Sequence, residues 1–271
     1  MENPYFPKPA VIEDVIDETP TIKTLVIRPD EPVAFKAGQF MQLTVPGLGE
    51  APFTPSSSPK VAERMEITIL RAGCVTEALH EMKAGDAVGV RGPFGKGYPL
   101  AKLEGKEVLV VGGGVGLAPL RSLLLALFDD LGKYKRVSIK YGARSPDELL
   151  FRRLFSEWGK LGNVDLTVTV DVGDDTWKGN VGLVTTTLKG LDIKVSDSLA
   201  ISCGPSIMLQ FVTLELLSCG YKPEQIYLSM NRRMSCGTGK CGKCSVGPYY
   251  LCKDGPDMNY ALIKDYTNVF A

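Results

Sequence analysis

Val108-Leu109-Val110-Val111-Gly112-Gly113-Gly114-Val115-Gly116-Leu117-Ala118-Pro119 reads as a strand that breaks into glycine and opens a helix. The apolar run shows no alternation with polar residues, the pattern of a strand covered by helices on both faces. The helix continues to residue 131 with Leu120, Leu124, Leu127 and Leu131 on one face. Outward from this unit, strand patterns at 137–141, 164–170, 199–202 and 226–230 alternate with helices predicted over 147–161, around 181–188 and over 206–217. Five strands with crossover helices predict one parallel, doubly wound sheet within residues 104–230.

On the N-terminal side the pattern changes. Short β-rich runs at 21–27, 40–45, 65–70 and 87–90 are separated by turn signals such as Ala37-Gly38, Pro46-Gly47 and Lys83-Ala84-Gly85-Asp86. They predict a small antiparallel barrel over 1–103. Residues 231–271 alternate Gly with Cys and hold too few large apolar side chains for a core of their own, which predicts a small loop domain.

With 271 residues, 44% of them apolar and 23% charged, the chain fits two cores better than one. Lys+Arg and Asp+Glu both number 31, so no polyanionic partner such as nucleic acid is expected. Met1 to Ala10 holds three prolines and no apolar core, unlike a secretory signal. No run approaches the ~20 apolar residues that span a bilayer, so a cytoplasmic location is expected.

Four of the seven cysteines fall within 236–252, which points to metal ligation rather than disulfides. Cys236, Cys241, Cys244 and Cys252 are spaced C-x4-C-x2-C-x7-C, and the first three reproduce plant-type [2Fe–2S] spacing. Gly237, Gly239, Gly242 and Gly247 let the backbone wrap closely and aim N–H groups at sulfur. Four cysteines also suit zinc, but zinc sites usually begin with a C-x2-C pair. Arg232, Arg233, Lys240, Lys243 and Lys253 would compensate an anionic cluster or meet an acidic partner. The lone His80 excludes multi-histidine and Rieske-type sites, and Cys74, Cys203 and Cys219 are by default small packed residues.

The glycine loop opens a helix, where free N–H groups and the helix dipole favour a diphosphate. It is not G-x-G-x-x-G, because Leu117 stands at the third glycine position. Tyr141-Gly142-Ala143-Arg144 and Ser202-Cys203-Gly204-Pro205 fall at the ends of two other strands, where open α/β sheets bind ligands. In the barrel region, Gly73-Cys74-Val75-Thr76 precedes a short helix predicted at 77–82, with Thr76 as its N-cap and a possible second anion site.

Gly38-Gln39-Phe40, Gly73-x-x-Thr76, Arg91-Gly92-Pro93-Phe94-Gly95, Gly113-Gly114-x-Gly116-x-x-Pro119, Tyr141-Gly142-x-Arg144 and Cys203-Gly204-Pro205, in this order, resemble the ferredoxin–NADP reductase superfamily over nearly the whole chain. With the cysteine run, the nearest resemblances are the gamma subunits of cytosolic NiFe hydrogenases (sulfhydrogenases), the related subunit of anaerobic sulfite reductase and the electron-transfer subunit of dihydroorotate dehydrogenase. The resemblance implies FAD in the barrel, with Pro52, Phe53 and Thr54 beside the ring and Ile69, Leu70, Arg71, Gly73, Val75 and Thr76 at ribityl and diphosphate. It places NAD(P)H across Gly113, Gly114, Gly116, Pro119, Arg144, Cys203, Gly204, Pro205 and Met208, with hydride exchange beside Thr54 and Cys203. The family's diphosphate arginine is replaced here by Ala51, which leaves two alternatives, Arg71 as its substitute or weaker flavin binding, and the cysteine segment stands where the family has an aromatic residue covering the flavin.

The implied activity is electron transfer between NAD(P)H, FAD, a [2Fe–2S] cluster and a catalytic redox subunit that carries its own iron–sulfur or flavin centre, hydrogenase-like in the first instance. No residue pattern here would activate hydrogen, sulfur or dihydroorotate, so a hetero-oligomer is expected. The alternatives are a dihydroorotate dehydrogenase subunit, a free-standing NAD(P)H–ferredoxin reductase, or a zinc-stabilised regulatory module.

Overall fold

The computed structural model describes residues 3–267 and 269–270. Strands β1 (Lys8–Thr19), β2 (Ile22–Pro29), β3 (Phe40–Val45), β4 (Gly49–Phe53), β5 (Met65–Leu70) and β6 (Ala87–Phe94), with helix α1 (Cys74–Glu81) between the last two, form the N-terminal part. They pair antiparallel in the order β4-β3-β6-β1-β2-β5. Ile12, Leu25, Ile27, Met41, Leu43, Ile67 and Val90 are buried in its core, and α1 caps the barrel with Leu79. The sole histidine serves this cap: His80 Nε2 lies 2.9 Å from the Ile69 carbonyl.

After the short α2 (Leu100–Leu103), the second part runs through β7 (Glu107–Gly113), α3 (Leu117–Phe128), β8 (Arg136–Ala143), α4 (Phe155–Trp158), β9 (Val164–Val170), β10 (Asn180–Val181), β11 (Ser198–Cys203), α5 (Ser206–Ser218) and β12 (Ile226–Ser229). Alternate residues of β7 feed two separate cores: Val108 and Val110 pack with α3, while Leu109 and Val111 pack with α5. All four are fully buried, which is why the strand reads as an unbroken apolar run. The sheet order β10-β9-β8-β7-β11-β12-β15 reverses direction between β7 and β11, so a crevice opens there at the strand ends.

The cysteine-bearing segment is more than a loop. A small hairpin, β13 (Ser245–Val246) with β14 (Tyr249–Tyr250), leads through α6 (Leu251–Asp254) to β15 (Asp257–Asn259), which pairs antiparallel with β12 before α7 (Tyr260–Ile263). Five parallel strands are thereby extended by β10 at one edge and β15 at the other. Val246, Leu251, Met258 and Ile263 join the α5 core instead of forming one of their own.

Two helices expected from the sequence are corrected. Over 147–161 the chain makes short 3-10 turns and the four-residue α4, because Phe151 adopts a left-handed conformation (φ 57°) that interrupts any helix. Over 184–188 there is a single 3-10 stretch, where Thr186 and Thr187 turn their hydroxyls back onto the Leu183 and Val184 carbonyls at 2.7 and 2.6 Å. Helix α1 begins at Cys74, three residues before the expected start. Thr76 does not cap it from outside; its hydroxyl donates to the Gly73 carbonyl and accepts from Ala72 N–H, both at 2.8 Å.

Candidate functional site

Two cavities lie side by side between the barrel and the sheet. The first, of about 430 Å³, is lined by Gly113 and Gly114 of the glycine loop, by Gly142 to Arg144 at the end of β8, by Asp171 after β9, and by Pro205 and Met208 at the start of α5. The second, of about 500 Å³, takes Pro52, Phe53 and Thr54 from β4 and the residues after it, Gly116 and Pro119 from the glycine loop, and Cys203 and Gly204 from the end of β11. Leu70, Val115 and Pro205 belong to both walls, so the cavities meet directly.

The loops that separate them are pinched together. A Cβ on Gly116 would stand 2.3 Å from the Cys203 carbonyl oxygen, so this approach requires glycine. The sequence-predicted residues Gly113, Gly114, Gly116, Pro119, Arg144, Cys203, Gly204, Pro205 and Met208 are thus brought into one crevice. Arg144 faces Asp171, whose carboxyl burial raises above its ordinary range even though Arg144 pulls the other way. Burial pushes the Cys203 thiol up to about 12, so it is a neutral, packing sulfhydryl.

On the barrel side the alternation of β5 decides which residues reach the cavity. Thr68, Leu70 and Ala72 line it. The expectation for Ile69 is corrected: its side chain is 1% exposed inside the barrel core. Val75 packs against that same core, and Arg71 is exposed in a solvent-screened pair with Glu81 at 3.4 Å.

Beneath the second cavity lies a polar group that local sequence patterns do not reveal. Ser229, at the end of β12, lines the cavity; its hydroxyl donates to Asp257 Oδ1 and lies 3.0 Å from the Tyr98 hydroxyl. Asp257 Oδ2 is buried without a hydrogen-bond partner, and burial raises this carboxyl to about 8. Three separate parts of the chain contribute to the cluster, so only tertiary structure brings it together.

The cysteine segment closes the same cavity with Asn231, Met234 and Pro256, beside Met230 at the end of the sheet part. Cys236 Sγ accepts N–H from Thr238 at 3.4 Å and also from Lys240 and Cys241, and despite its burial the thiol falls to about 5. Cys252 Sγ accepts from Gly239 N–H at 3.1 Å; burial and the neighbouring Cys244 raise it to about 12. Cys244 and Cys252 are buried and Cys241 is exposed at the surface. Among the described residues no group of three or more His, Cys, Asp or Glu side chains is arranged to hold a single metal ion. The fit to an iron–sulfur cluster rests on the donor chemistry: two of the four sulfurs already receive backbone N–H groups, as an anionic cluster requires.

Comparison with known proteins finds three family matches along the chain. Residues 11–98 match the family described as oxidoreductase FAD-binding domain, 110–213 the oxidoreductase NAD-binding domain, and 231–264 the iron–sulfur cluster binding domain of dihydroorotate dehydrogenase B. The chain is 37% identical to "Sulfhydrogenase 2 subunit gamma" of Pyrococcus furiosus, over 95% of this chain and 96% of that one. It is 36% identical to "Probable dihydroorotate dehydrogenase B (NAD(+)), electron transfer subunit" of Methanocaldococcus jannaschii, over 94% and 90% of the two chains. Among solved structures, a chain from the NADH-dependent reduced ferredoxin-NADP oxidoreductase superposes with a TM-score of 0.75 at 25% identity, covering 97% of this chain and 93% of that one. The chain belongs to the ferredoxin reductase family, in the group that joins FAD-binding and NAD-binding domains to an iron–sulfur domain and includes sulfhydrogenase gamma and dihydroorotate dehydrogenase electron-transfer subunits. Among the described residues no helix is long and apolar enough to cross a membrane.

Proposed function

We propose that this member of the ferredoxin reductase family is the electron-transfer subunit of a multisubunit oxidoreductase, moving electrons through FAD and a [2Fe–2S] cluster between NAD(P)H and a catalytic partner. The observation that carries the reading is the second cavity, walled by the barrel, the glycine loop and the cysteine segment, and sharing Leu70, Val115 and Pro205 with the first. A redox ring seated there would touch both a nucleotide donor and the approach to a one-electron cluster.

In this reading Pro52, Phe53 and Thr54 hold the flavin ring from the barrel side, and Leu70, Arg71, Gly73 and Thr76 serve its ribityl and diphosphate. Bound flavin supplies the exchange between two-electron and one-electron chemistry. Gly113 and Gly114 offer backbone to the nucleotide diphosphate, Arg144 and Asp171 meet the adenosine end, and Pro205 and Met208 wall the nicotinamide. Thr54 and the neutral Cys203 thiol flank the place of hydride exchange and exclude water. Cys236, Cys241, Cys244 and Cys252 supply the four thiolates that two irons need. No acid–base group is required for hydride transfer itself, so the chain's contribution is positioning.

The partner is a redox subunit with its own iron–sulfur or flavin centre, of the sulfhydrogenase kind first and of the dihydroorotate dehydrogenase kind second, following the two sets of relatives. Anaerobic titration with NADH and NADPH, followed by visible absorption and EPR, tests the reading. Flavin bleaching with a rhombic [2Fe–2S] signal is expected. A colourless, zinc-containing protein would overturn it.

A further inference from the structure

Arg91, the first residue of the Arg91-Gly92-Pro93-Phe94-Gly95 motif, has no part in either cavity. It lies in β6 and is 4% exposed, an unusual depth for a charged side chain. Its Nε and Nη2 grip both carboxylate oxygens of Glu50, at 2.8 and 2.5 Å. Nη1 also donates to the Pro4 carbonyl at 2.8 Å and the Cys236 carbonyl at 3.3 Å, and Nη2 to the Ser235 carbonyl at 3.3 Å. These contacts use the guanidinium's full set of N–H donors.

The neighbouring residues point the same way. Gln42 Nε2 donates to the Met234 carbonyl at 3.0 Å, so three successive carbonyls, Met234 to Cys236, are held by the barrel. The Arg91 guanidinium carbon lies 5.5 Å from the centre of the Phe94 ring, and a Cβ on Gly237 would meet that ring at 2.7 Å. Lysine has three donors in a different geometry and would not satisfy this set. A scaffold role alone would be met by neutral donors, yet here the buried guanidinium of an ion pair stands at the backbone of the first cysteine, while its Glu50 partner reaches solvent, so the positive end is the less screened of the two.

We infer that Arg91 and Glu50 form a positioning pair for the iron–sulfur site: Arg91 fixes the backbone of Cys236, and the balance of charge across the pair sets the cluster's reduction potential. The inference rests on the reading of Cys236 as a cluster ligand. Reduction adds negative charge to the cluster, so an uncompensated positive charge nearby raises the potential and an uncompensated negative charge lowers it.

The test is a potentiometric EPR titration of the full-length protein and its Glu50→Gln and Arg91→Met variants, with iron and sulfide content measured in each. Glu50→Gln keeps Arg91 and is expected to raise the midpoint by up to ~59 mV, a tenfold change for a one-electron couple, the exposure of Glu50 screening its charge. Arg91→Met leaves Glu50 unpaired and is expected to lower it, or to lose the cluster while flavin absorption persists; either result supports the pair. An unshifted or lowered midpoint in Glu50→Gln, or loss of the cluster from that variant, would overturn the inference. Absence of iron and sulfide from the unsubstituted protein would instead overturn the ligand reading beneath it, so the two failures are distinguishable.

Discussion

Gly38 lies so close to Asp257 that a Cβ on Gly38 would stand 2.2 Å from the Asp257 Oδ2 atom. The glycine of the Gly38-Gln39-Phe40 motif is thus explained by a carboxylate more than two hundred residues later. Gly38 also has φ +89°, which costs a side chain ~1–2 kcal/mol on its own. Gly38→Ala is expected to destabilise the fold by about 2–4 kcal/mol, combining that strain with overpacking. Urea unfolding of Gly38→Ala, Asp257→Ala and the double variant checks it. Removing the carboxylate should recover about 1 kcal/mol or more as a coupling energy, while the backbone strain remains.

Asp257 also gives the protein a pH dependence. Its carboxyl moves from an ordinary 3.8 to about 8, chiefly by burial. Between those values the unfolded chain has released the proton and the native chain has kept it, so this group's contribution to stability falls as pH rises through the window and levels off above it. Tyr98 and Cys203, the titratable groups facing it, are themselves raised and stay neutral there. Thermal unfolding from pH 5 to 8 should therefore show Asp257→Asn gaining on the unsubstituted protein as pH increases, by up to a few kcal/mol. Parallel curves would show that Asp257 ionises normally in the fold.

How much was legible depended on where each signal resides. The β7 run carries its meaning in adjacent residues and reads correctly for the fold, and the four cysteines lie within the segment that matches an iron–sulfur domain. Strand β1 was missed because Glu13, Asp14, Asp17 and Glu18 interrupt its apolar alternation. The helix expected over 147–161 had its apolar residues, Leu150, Leu154 and Trp158, at helical spacing, yet the left-handed Phe151 divides them. Ser229, Asp257 and Arg91 had no local signal pointing to their neighbours, since their partners come from distant segments.

Arg121 ties the two large domains together close to the second cavity, two residues beyond Pro119 of its wall. It follows Pro119 in α3, donates to the Ser56 carbonyl at 3.2 Å and to the Glu66 carboxylate, and stacks 4.8 Å from the centre of the Phe151 ring. Arg121→Ala is expected to cost about 1–3 kcal/mol from a largely buried charge-assisted contact and lost packing. The loss should appear as weaker flavin retention on gel filtration, because Ser56 stands two residues beyond Thr54 of the cavity wall. Arg121→Lys should recover only part of it, having no planar face to stack on Phe151. Equal retention in all three proteins would show that the contact does not hold the cavity together.

Asp171 and Arg144 stand together in the first cavity, where on the proposed function they would pull the nucleotide preference in opposite directions. A carboxylate at a strand end accepts hydrogen bonds from ribose hydroxyls and repels a 2′-phosphate, whereas an arginine attracts that phosphate. Glu148 lines the same cavity and adds to the acidic side. On the proposed function, two acids against one base are expected to favour NADH. Asp171→Ser is then expected to shift the ratio of kcat/KM for NADH over NADPH about tenfold towards NADPH, a change of ~1.4 kcal/mol. Arg144→Ala should move the ratio the other way, chiefly through KM for NADPH, because a binding contact and not the hydride step is removed. Steady-state kinetics with both nucleotides and a one-electron acceptor decide the matter, and a ratio that Asp171→Ser leaves unchanged would place the specificity elsewhere in the cavity.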